Sequence, residues 1–125
     1  MLKITRQALL SALQGAKETH PNEFICLLRG DKQGEDWLIT EVILTPFASY
    51  DKESSSYSPY FIPVGGNEIA SFHSHPYPNT AYPSNADLQM FSRTARFHFI
   101  ASNPYRIQDT NAFNSKGEKI SFELV

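Results

Sequence analysis

The chain has 125 residues, 41% of them apolar, with a net charge of −2, one cysteine and four histidines. That size fits one globular domain with one core. No apolar run approaches the ~18 residues that span a bilayer, no basic patch marks a nucleic-acid binder, and the lone Cys26, inside an apolar run, excludes an intrachain disulfide framework and predicts a cytoplasmic protein.

Residues 5–18 are predicted as an amphipathic helix. Ile4, Ala8, Leu9, Ala12, Leu13 and Ala16 recur near the helical period, Thr5 is the expected cap, and His20-Pro21 ends the pattern. This N-terminus lacks the uninterrupted apolar region of a secretory signal. Glu23–Gly30 is a continuous apolar strand, read as buried on both faces. A turn over Gly30–Asp36 leads into a second strand, Trp37–Leu44, as an antiparallel hairpin. Residues 46–66, rich in Ser, Tyr, Pro and Gly, read either as a surface loop or as a flap over an active site, with Tyr57, Tyr60 and Phe61 as the substrate-contacting groups in the second case.

Glu68–Ser74 is the next strand, Ser84–Arg93 a helix with Leu88 and Phe91 as apolar contacts, and Phe97–Ala101 another strand. His98 is read as structural or surface and His20 as solvent-exposed. Asn103–Arg106 is a turn, and Ile107–Asn114 with Glu118–Leu124 form a final hairpin around Ser115-Lys116-Gly117. The order predicts an α/β class, a single domain with a mixed β-sheet flanked by helices.

The string His73-Ser-His-Pro-Tyr-Pro-Asn-Thr-Ala-Tyr-Pro-Ser-Asn-Ala-Asp87 carries the chemistry. On a strand, His73 and His75 project from one face. Two imidazoles and a carboxylate suit a divalent transition metal, above all zinc, and three protein ligands leave a fourth position open for water, as catalytic sites require. Ser84 and Asp87 also fit a helix cap with its third helical residue, a role compatible with ligation.

The string H-S-H-P followed by P-S-x-x-D-L resembles the motif of the JAMM/MPN+ metallopeptidases, and the small prokaryotic members in particular. The resemblance implies one zinc ion held by His73, His75 and Asp87, Ser84 as the oxyanion-side serine, and the mixed-sheet JAMM/MPN fold. It departs in one place: seven residues, Tyr77–Pro83, separate the H-S-H-P proline from Ser84, where the family has six. The family also uses a glutamate at the start of an early strand after the first helix. No H-E-x-x-H is present to supply the base, so Glu23, a polar residue at the mouth of an apolar strand, is the expected general base, with Glu41 and Glu68 as weaker candidates.

The resemblance implies a zinc-dependent peptidase or isopeptidase acting after the Gly-Gly tail of a ubiquitin-like or sulfur-carrier protein. The competing expectation is a non-catalytic MPN scaffold that binds partner proteins; such scaffolds have usually lost metal ligands that this chain retains.

Overall fold

The computed structural model describes residues 1–44, 49–50, 55–56 and 68–125. In chain order the elements are β1 (Leu2–Ile4), α1 (Arg6–Thr19), β2 (Ile25–Gln33), β3 (Asp36–Ile43), β4 (Ser49–Tyr50), β5 (Ser55–Ser56) and β6 (Glu68–His75). Then follow α2 (Asn85–Thr94), β7 (Phe97–Ser102), a 3-10 turn (Ile107–Asp109), β8 (Thr110–Asn114), β9 (Lys119–Ile120) and β10 (Phe122–Leu124). Eight strands form one mixed sheet in the order β10-β1-β3-β2-β6-β7-β8-β9, and β4 pairs with β5 separately.

The helix α1 starts as expected, with the Thr5 hydroxyl accepting from the Ala8 amide at 3.1 Å. Ile4 belongs instead to a short strand ahead of the helix, where Leu2 and Ile4 point inward and Lys3 outward; an apolar residue one position before a cap satisfies both periods. The hairpin turn is also tighter than the glycines suggest. The β2–β3 ladder runs to Gln33 opposite Asp36, leaving Gly34 and Glu35 as the turn, with Gly34 at φ +63°, where a side chain is disfavoured. Gly30 marks a bulge, because a Cβ there would stand 2.0 Å from the Leu38 carbonyl oxygen.

The predicted C-terminal hairpin is corrected. β9 does pair antiparallel with β8, but β10 pairs in parallel with β1 at the opposite edge of the sheet. Only Ser121 separates them, so the sheet curls until its two edges nearly meet. Helix α1 fills the concave side, where Leu9, Leu13, Phe24, Cys26, Leu28, Phe72 and Phe99 make the main core. On the other face α2 packs Phe91 against Ala81, Ile100 and Phe113.

His98 holds the far end of α2. It is fully buried, its ring stacks on Phe91 at 3.9 Å, and its Nε2 lies 3.1 Å from the Phe91 and Ala95 carbonyls. Carbonyls only accept, so Nε2 carries the proton and Nδ1 accepts from the Ser71 hydroxyl at 2.6 Å. Burial, with a smaller contribution from His73 nearby, pushes the imidazole down to about 4. Between that value and the ordinary imidazole range the unfolded chain binds more protons than the folded one, so stability rises with pH. We expect urea unfolding to show a loss of roughly 3 kcal/mol as pH falls from about 6.5 to about 4. His98→Gln, which cannot titrate, removes that part of the slope.

Candidate metal centre

β6 lies between β2 and β7, with Ile25 opposite His73 on one side and Ile100 opposite it on the other. A strand so flanked buries what it carries: His73 is fully buried, and the His75 side chain, two residues on along the same face, is 13% exposed. The third group comes from α2. Ser84 caps that helix, its hydroxyl accepting from the Asp87 amide at 3.1 Å while its own amide donates to Asp87 Oδ2 at 2.8 Å. This reciprocal box fixes Asp87 at the third helical position, at the positive end of the helix.

The two strand imidazoles meet that carboxylate. His73 Nε2 is 3.1 Å from Asp87 Oδ1 and His75 Nε2 is 3.2 Å from Oδ2, and one donor atom from each residue lies within 4.8 Å of the others. Two features show that a cation fits here. Both ring nitrogens of His73 are buried without a directional hydrogen bond among the described residues. His75 Nδ1 lies in hydrogen-bonding contact with the Thr80 carbonyl; a carbonyl can only accept, so neutral His75 carries its proton on Nδ1 and turns the Nε2 lone pair towards the carboxylate. The His75 lone pair facing the Asp87 carboxylate leaves a place for a positive charge between them.

The electrostatics agree. Burial alone would raise the Asp87 carboxyl, but the His73 and His75 nitrogens and the Ser84 amide hold it well below the usual carboxylate range. It is therefore ionised, the form a metal ligand requires. Burial alone would lower His75, yet the Asp87 carboxylate and the Thr80 carbonyl raise it above its ordinary value, with the charge of Glu23 adding to them.

The loop between the histidines and Ser84 takes up its additional residue in a folded path. Asn79 sits at φ +61°, where Asn is tolerated, the Tyr82 amide donates to the Thr80 carbonyl at 2.7 Å, and Asn111 Nδ2 donates to the Ala81 carbonyl at 3.0 Å. Thr80 thus supports the centre through its own backbone carbonyl, a role that carries no signature in residue type, and Asn111 braces the loop through its side-chain amide.

Glu23 stands in the connection between α1 and β2, only 7% exposed. The next residue is tied twice to the histidine strand, since the Phe24 amide donates to Ser74 Oγ and the Ser74 amide to the Phe24 carbonyl, each at 2.9 Å. That clamp gives Ser74 its structural task and sets Glu23 level with the His75 end of β6. The weaker candidates lie elsewhere: Glu68 and Glu41 both face Arg29, at 3.2 and 4.0 Å, at the start of β6. Tyr57, Tyr60 and Phe61 lie outside the described residues.

Comparison with known proteins gives a consistent set of relatives. The family described as prokaryotic homologs of the JAB domain matches residues 5–116. A protein of Haloferax volcanii described as a probable metalloprotease is 35% identical over 121 residues, 92% of this chain and 74% of its own length. A JAB1/MPN domain protein from Archaeoglobus fulgidus superposes with a TM-score of 0.73 at 33% identity, covering 98% of each chain. A structure described as JAMM, a metalloprotease-like zinc site in the proteasome and signalosome, does so with a TM-score of 0.74 at 32% identity, covering 100% of this chain and 98% of the other.

Proposed function

We propose that this chain, which belongs to the family of prokaryotic homologs of the JAB domain and carries that fold's metalloprotease-like zinc centre, hydrolyses the peptide or isopeptide bond that follows the C-terminal tail of a ubiquitin-like or sulfur-carrier protein. The single observation that carries the hydrolytic reading is the buried carboxylate of Glu23, whose charge acts on His75, one of the three gathered metal donors.

When bound, zinc supplies a Lewis acid for the scissile carbonyl and a water acidified to a pKa of ~7. The chain does the rest. His73, His75 and Asp87 hold the ion, and the Thr80 carbonyl keeps the His75 tautomer that presents Nε2. Glu23 takes the proton from the attacking water and passes it to the leaving amine as the C–N bond breaks. Ser84 Oγ already accepts from the Asp87 amide, so its own proton remains to donate to the oxyanion, a contact whose loss typically costs about 10²–10³ in rate.

The support for a Gly-Gly tail is steric. His73 is closed off, and the His75 and Asp87 side chains are only 13% and 10% exposed, so a tail of small residues is suited to reach the centre in extended form. The test is zinc-loaded protein with linear fusions and lysine conjugates of Gly-Gly-tailed modifiers, beside unrelated peptides of equal length. We expect cleavage after the second glycine only. Hydrolysis of the unrelated peptides with the Gly-Gly conjugates left intact would reject this substrate class.

A further inference from the structure

The connection that carries Glu23 is fastened at both ends, and one fastening is a side-chain pair outside the centre already described. At its end nearest β2, Phe24 is clamped to Ser74. At its other end His20 closes α1, its amide donating to the Ala16 carbonyl at 3.0 Å, and its Nδ1 lies 2.6 Å from the hydroxyl of Tyr105. The two rings meet edge to face at 5.6 Å. Tyr105 comes from the turn after β7, where the Asn103 amide donates to the His75 carbonyl at 3.1 Å, so this turn is itself attached to the end of the histidine strand.

Tyr105 is held in place at a cost. The residue is 3% exposed and its backbone sits at φ +64°, a region that bulky residues rarely adopt and that clusters at functional sites. The Tyr105 amide donates to the Ser102 carbonyl at 2.8 Å, which keeps the turn in that form. Its phenol is raised by burial first and then by the negative charge of Glu23, so the hydroxyl and the carboxylate lie within each other's field.

We propose that Tyr105 and His20 are a positioning pair for Glu23: one hydrogen shared between hydroxyl and imidazole fastens the α1–β2 connection to the turn after β7, and so sets the Glu23 carboxylate relative to His75. Neither residue touches the scissile bond; both act through Glu23, and the inference therefore rests on the general-base reading above. A carboxylate displaced by about an ångström can lose up to about 100-fold in rate.

The test uses zinc-loaded protein and a Gly-Gly–lysine conjugate. In Tyr105→Phe, which keeps the ring, kcat falls about tenfold or more while KM, zinc content and thermal midpoint hold. His20→Ala gives the same loss, the double variant is no worse than either single one, and His20→Asn, which places an amide near the lost Nδ1, recovers part of it. The 13C shift of the Glu23 carboxyl at neutral pH moves in Tyr105→Phe, a readout independent of turnover. Wild-type kcat in Tyr105→Phe, an unmoved Glu23 carboxyl, or a loss that tracks zinc or melting would each overturn the pair. An inactive Glu23→Gln beside a fully active Tyr105→Phe removes the positioning pair alone, whereas a fully active Glu23→Gln removes the base and the pair together.

Discussion

Glu23→Gln is expected to lower turnover by about 10²–10⁴-fold while the zinc stays bound. The amide keeps the size and most of the hydrogen bonding of the carboxylate but can neither take a proton from water nor return it to the leaving amine. Glu23 is not among the three gathered donors, so metal content measures a different part of the machinery from rate. Elemental analysis and steady-state kinetics on the same preparation separate the two. Equal activity with full zinc would show that another group moves the proton; Glu41 and Glu68, held by Arg29 at the far end of β6, are badly placed for it. Glu23→Ala is a poorer experiment, since it opens space beside a strand entrance that is 7% exposed.

Asp87→Asn is expected to weaken zinc binding by more than about 100-fold, beyond the 10–100-fold that changes around a metal's ligands produce. The substitution preserves shape, and an Asn oxygen can still accept from the Ser84 amide that now donates to Oδ2 at 2.8 Å, so helix α2 keeps its cap and the fold persists. What is lost is the negative charge that the two imidazoles face at 3.1 and 3.2 Å. His75→Ala should lose the metal as well. Wild-type protein should hold about one zinc per chain and release it as pH falls, because the imidazoles must be neutral to bind. If the wild type takes up no zinc even after reconstitution, the hydrolase reading fails and a scaffold that binds partner proteins becomes the better account.

Much of this centre was legible in the sequence because its geometry is local. Alternation along a strand places His73 and His75 on one face whatever surrounds them. A serine three residues before an aspartate at a helix start places that carboxylate just as firmly, and the capping box is present as the spacing predicts. The two helices, the β2–β3 hairpin and the buried character of β2 follow from the same short-range periods, whereas the burial of β6 comes from the strands on either side of it. So does the departure in loop length, although the path of the loop does not.

What the sequence could not determine depends on contacts between distant segments. Helix period and strand alternation both accommodate Ile4, and only the pairing of Leu2–Ile4 with β3 and β10 decides for strand. β10 reads as a continuation of a hairpin, yet closure of the curled sheet rewards it more at the far edge, beside β1. His98 could have been a surface residue by type; its burial comes from α2 lying across it. His20 is exposed as its place at a helix end predicts, but its bond to Tyr105 spans 85 positions. The sequence by itself determined which residues can bind zinc and which local frames present them. Only the tertiary structure decided that the charge of Glu23 reaches His75 while Glu41 and Glu68 turn to Arg29, because a carboxylate's place relative to a metal is set by how strands register across the sheet, and register is a property of pairs of segments.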